Sequence, residues 1–164
     1  MTLTLRTSPS LSDQGLRTVI GTIQSVLVDQ LFNTGGLTIG SSSKPKVKIA
    51  NTVYALIGAV VVKKTTAEIV ISGTVTNAKF NVYVLSMDSS GTVTASMGTE
   101  GDTLGAVVLP STPTGNVVLG FVIVNPTGTG DFVGGTTDLD DATVVPNAVY
   151  VNTVGPFQPN LTNL

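Results

Sequence analysis

Leu16, Val19, Ile20, Ile23, Val26, Leu27 and Leu31 recur at three- and four-residue steps, with Arg17, Thr18, Gln24, Ser25 and Asp29 between them. That is the period of one helix face, and it predicts a helix over 13–32. Ser12 supplies an N-cap, Asp13 a first-turn acid, and Asn33-Thr34-Gly35-Gly36 a stop. Gly21 and the β-branched residues work against it. Ahead of the helix, residues 1–8 alternate Thr and Leu up to Pro9, which reads as an extended arm.

From Leu37 onward the period falls to two, or apolar residues run together between Gly, Pro and Asn. This predicts strands at 37–40, 46–50, 52–62, 67–72, 79–87, 92–97, 105–109, 117–124, 142–145 and 148–154. Asp88-Ser89-Ser90-Gly91 separates two of them and predicts a hairpin. Strands at roughly ten-residue spacing, without strand–helix alternation, point to an all-β fold. The expected architecture is an antiparallel β-sandwich or jelly-roll-like barrel with one N-terminal helix and extended terminal arms. The chain divides into an arm and helix over 1–36, a β-sandwich domain over 37–154, and an extended arm over 155–164. Pro156 and Pro159 cannot donate ladder hydrogen bonds, so that last arm is not a central strand.

Two strands are apolar on both faces. Val117, Leu119, Phe121 and Ile123 are expected to point one way and Val118, Val122 and Val124 the other. Phe80, Val82 and Val84 similarly oppose Tyr83, Leu85 and Met87. One face fills the core. The helix, a loop or a neighbouring chain must cover the other.

Composition sharpens this picture. Of 164 residues, 25 are Val and 25 Thr, both suited to pleated sheet. Only 11% are charged, where about 25% is usual. Mean hydropathy is +0.40. A chain so poor in charge is expected to cover its faces with copies of itself or with another protein. The start has no apolar core behind basic residues and begins with Met1, which predicts no cleaved leader. The longest apolar run, Tyr54–Val62, is too short to span a membrane.

Charge is unevenly placed. Residues 1–82 hold all eight Lys and Arg, for a balance of +5, and residues 83–164 hold none, for a balance of −7. This reads either as internal neutralisation or as complementary patches that meet between subunits. The net charge of −2 predicts no nucleic-acid partner.

There is no His and no Cys, which removes the Ser-His-Asp triad, the thiolate nucleophile and the usual zinc site. Paired carboxylates could cleave glycans, but the chain has no Trp and three Tyr to build a sugar platform. The expectation is no enzyme, no catalytic residue and no cofactor. Asp131, Asp138, Asp140 and Asp141 are the best calcium candidates. They lack EF-hand spacing and its closing Glu, so a solvated loop is expected and no metal is assigned. Lys44, Lys46 and Lys48 would share one face of a strand, with Val47 and Ile49 on the other. They read either as guards of an edge strand or as a basic stripe for an acidic protein surface. The expected interface residues are Leu16, Ile20, Ile23 and Leu27 on the helix, those three lysines, and Pro156 and Phe157 on the C-terminal arm.

Gly36-Leu37-Thr38-Ile39-Gly40-Ser41, then Lys46-Val47-Lys48 and Thr65-Thr66-Ala67-Glu68-Ile69, resemble a pattern in structural proteins of tailed bacteriophages. So does Phe132-Val133-Gly134-Gly135-Thr136-Thr137-Asp138-Leu139, followed by a strand bearing Tyr150. The resemblance implies a virion component made in the host cytoplasm, foremost a capsid decoration (cement) protein. Such proteins sit as homo-oligomers, often trimers, on the major capsid protein or another virion protein. A fibre or tail receptor-binding module is the alternative, and a glycan-cleaving enzyme comes third. The resemblance brings no catalytic residues with it.

Overall fold

The computed structural model describes residues 29–156, together with Gly15. Twelve strands are found among them: β1 (Gln30–Leu31), β2 (Leu37–Ile39), β3 (Lys46–Ile49), β4 (Val53–Ile57), β5 (Val60–Lys64), β6 (Ala67–Val70), β7 (Thr74–Val75), β8 (Asn81–Met87), β9 (Val93–Met97), β10 (Val117–Val124), β11 (Phe132–Val133) and β12 (Val149–Asn152). Every pairing is antiparallel. The sheets run β1-β4-β5, β12-β10-β8-β9, β11-β7 and β2-β3-β6, and none closes into a barrel.

One apolar core serves all four sheets. Leu31, Ala55 and Ile57 enter it from the first, Tyr83, Leu85 and Val122 from the second, Val75 and Phe132 from the third, and Leu37, Val47 and Ile49 from the last. Phe132 meets Tyr83 edge-on, with centroids 6.4 Å apart and planes at 72°. Each buried Val, Leu, Ile or Phe among them contributes about 1.5–3 kcal/mol.

The β10 boundaries match the sequence pattern, but the face assignment does not. Val118 pairs with Ser86 and Gly120 with Leu85, so Leu119 is an extra residue bulged out of the ladder. The bulge advances the alternation by one position. Val117 before the bulge, Leu119 in it, and Val122 and Val124 after it therefore all join the core. On the far side of the sheet, Val82, Val84 and Val118 are also buried. The loop carrying Leu104, Val107 and Leu109 lies beside Val82 there.

Three other expectations are corrected. The span 52–62 is a hairpin, not one strand: Ile57 pairs with Val60 around Gly58 and Ala59, both at positive φ (56° and 65°). Such a two-residue turn matches the twist of the flanking strands. The span 105–109 is a 3-10 turn, Leu104–Ala106, followed by a single bridge from Val108 to Thr99. The span 142–145 is a turn wound on Asp141, whose Oδ1 accepts the Thr143 N–H at 2.8 Å and its hydroxyl at 2.6 Å.

The helix expected over 13–32 lies outside the described residues except at Gly15 and at its end, where Gln30–Leu31 is strand. Leu31 is buried between two neighbours, Ala55 on one side and Gly155 on the other. Its own N–H and C=O both bond to Gly155. Leu31, which lies before the boundary drawn at 36, is thus part of the core, and Gly155, at the start of the expected C-terminal arm, is tied to it by backbone hydrogen bonds.

Candidate interaction surfaces

Several carboxylates are occupied by loop donors. Glu68 accepts the Ser41 N–H at 2.7 Å, the Ser42 N–H at 2.8 Å and the Ser42 hydroxyl. Asp88 holds the β8–β9 turn through the N–H groups of Ser90 and Thr92. Glu100 accepts from Thr76, and Asp29 accepts the Gly58 N–H at 2.7 Å. An ionised carboxylate that takes two or three donors is fixed in place and made more acidic. The Ser42 hydroxyl, then the Ser42 and Ser41 amides, hold Glu68 down to about 2.

The calcium candidates separate by the same logic. Asp131 accepts the Asn77 N–H at 2.8 Å, Asp140 pairs with Lys44 at 2.7 Å, and Asp141 caps its own turn. Among the described residues, no three Asp or Glu side chains converge on a common point.

The three lysines part company too. Lys46 and Lys48 do stand on the outer face of β3, with Val47 and Ile49 fully buried beneath. Lys44 lies in the preceding turn, bound to Asp140. β3 is not an edge: β2 flanks it on one side and β6 on the other. Lys48 sits opposite Glu68 and donates to the Ser41 hydroxyl at 2.6 Å. Of the remaining expected interface residues, Pro156 is exposed, while Leu16, Ile20, Ile23, Leu27 and Phe157 lie outside the described residues.

Sequence reasoning missed two apolar surfaces. The first is the β4–β5 hairpin. Val62 turns inward, but Val60 and Val61 are 53% and 66% exposed. Beside them Lys63 lies over the Tyr54 ring, 5.9 Å from its centroid, and Phe32, bonded through its N–H to the Tyr54 carbonyl, is half exposed. The second is the start of β12, where Val149 and Val151 are 48% and 38% exposed. Val149 borders a depression of about 380 Å³ shared with Ile39, Leu139, Asp140, Pro146 and Tyr150. Burial, and then the Asp140 charge, push the Tyr150 hydroxyl up to about 12.

The signal for the hairpin was present as three valines followed by two lysines. It was masked because Gly58 alone, followed by Ala, is a weak turn signal.

No family model matches the chain, and neither a curated protein nor a solved structure matches it.

Proposed function

We propose that this chain is a structural protein that works by assembly, as a capsid decoration protein of a tailed bacteriophage. Its sheets form a β-sandwich scaffold. Its apolar borders and its termini, through Leu16, Ile20, Ile23 and Leu27 at one end and Pro156 and Phe157 at the other, contact neighbours. Copies associate as a small homo-oligomer, a trimer, on the major capsid protein, and repetition over the lattice makes a modest contact strong. No catalytic role is proposed.

The observation that carries this reading is the pair of exposed valine borders, Val60–Val61 and Val149–Val151, on a chain with 11% charged residues. Apolar surface left at two sheet borders gains free energy when another protein covers it. The carboxylates, held by loop donors, support a scaffold more than a reaction centre. The resemblance of 36–41, 46–48, 65–69 and 132–139 to phage structural proteins supplies the virion setting.

A receptor-binding fibre module is the second reading. It is favoured by Phe32, just past β1, and Tyr54 on β4, which are backbone-bonded neighbours and both exposed, an arrangement that suits the flat face of a sugar. Particles made without this chain separate the two. Loss of a decoration protein lowers the temperature at which the head releases DNA and leaves adsorption intact. Loss of a fibre module does the reverse.

A further inference from the structure

The two valine borders differ in shape and in charge. The β4–β5 hairpin projects: its tip is the two-residue turn Gly58-Ala59, and no strand among the described residues pairs with the outer side of β5. Behind Val60 and Val61 come Lys63 and Lys64, and no carboxylate of the described residues lies within ion-pair distance of either. The border at β12 is hollow. Its depression is walled by Ile39, Pro146, Val149 and Tyr150, with Asp140 on the rim and Asp138 two residues away. Beside that rim Lys44 pairs with Asp140 and feels the charge of Asp138.

These borders do not meet within one copy. β4 and β1 separate β5 from the bridge at Gly155, about 14 Å at the usual strand spacing. From Gly155 back to Val149 is a further ~20 Å along the strand. A basic apolar projection and an acidic apolar hollow, held apart on one molecule, are complementary between two.

We infer that the β4–β5 hairpin of one copy seats Val61 in the depression beside Val149 of the next, with Lys63, on the same outer face of β5, against the rim at Asp140. This rests on the assembly reading above and gives it a contact. The contact is heterologous: each copy offers a projection to one neighbour and a hollow to another. Such a contact closes into a ring when its rotation permits. It also gives the split of charge along the sequence a purpose, since the basic first half docks on the acidic second half of the neighbour.

The test uses the full chain in sedimentation velocity over a concentration series. Association should weaken by about tenfold between ~0.05 M and ~0.5 M salt, because screening acts on exposed charges. Val61→Asp with Lys63→Glu removes the projection, and Val149→Glu spoils the hollow. Both alter exposed side chains, and melting temperatures close to wild type confirm folding. Each variant alone should be monomeric. An equimolar mixture should form dimers and nothing larger, because each copy keeps one working border. Monomers in the mixture, wild-type association by either variant, or association indifferent to salt would overturn the pairing. If the wild type still associates in those cases, the assembly reading stands without this contact. A wild type that stays monomeric throughout removes the pairing, and the composition of particles then decides the virion role separately.

Discussion

The backbone N–H of Leu37 donates to Asn152 Oδ1 at 2.7 Å, across 115 positions of sequence. The bond ties β2, an outer strand of β2-β3-β6, to β12, an outer strand of β12-β10-β8-β9. Leu37 is buried, so its N–H has little access to water if the acceptor is lost. Asn152→Ala should therefore cost about 1–3 kcal/mol, the desolvation penalty of an unpaired buried donor. Asn152→Asp keeps the acceptor and should cost less. Urea unfolding of the two variants provides the comparison.

Gly120 follows the β10 bulge at φ 153°. A Cβ there would sit 2.2 Å from the Val151 carbonyl oxygen and 2.7 Å from Leu37 Cδ1. Backbone cannot yield as a flexible side chain does. Gly120→Ala should destabilise by roughly 3 kcal/mol or more, through strain and loss of β10–β12 pairing. Gly115 also has positive φ but nothing within 4 Å, so Gly115→Ala should cost only about 1 kcal/mol. Denaturation midpoints of the pair separate collision from conformation.

Tyr83 is fully buried, and its hydroxyl has no hydrogen-bond partner among the described residues. Burial pushes it up to about 12. Its ring fills the core against Phe132, while its oxygen is a buried polar atom without compensation. Tyr83→Phe should be neutral or stabilising by up to about 1–2 kcal/mol, measured by thermal and urea unfolding. The raised value also makes wild-type stability fall as pH rises past 10, a loss that the Phe variant lacks.

Glu68 sets an acid limit. Its folded value, about 2, lies below the ordinary 4.5, so the unfolded chain binds the proton first. The contribution is complete above 4.5 and is lost as pH falls toward about 2. Glu68→Gln should therefore be less stable than wild type at neutral pH, with the gap narrowing across that window. Unfolding titrations of both proteins in steps from neutral to acid pH check the sign, and a gap that widens on acidification contradicts it.

How far the sequence was legible depends on what each element required. β10 was bounded correctly because eight uninterrupted apolar residues between Asn116 and Asn125 leave little choice. Its faces were misassigned because a bulge is set by the partner strand, and no residue in Val118-Leu119-Gly120 other than the glycine announces it. β7 and β11, two residues each, are too short for any period to show, and only their pairing makes them strands. The hairpin at Gly58-Ala59 was read through because alanine is not an expected residue at positive φ. The acids were legible as loop residues, but their partners lie up to 96 positions away, as Lys44 does from Asp140. Thus β3 lost its edge reading and Lys44 left the stripe only once β6 and Asp140 were in place.

The central claim is that this chain is built into a particle, and counting it there is the most direct test. Density-banded particles from the producing culture, digested and quantified by mass spectrometry against the major capsid protein, give the copy number. A decoration protein should be present in a fixed ratio to capsid subunits, at many tens of copies or more per head. Particles that lack the chain while it accumulates unassembled in the lysate would contradict the account.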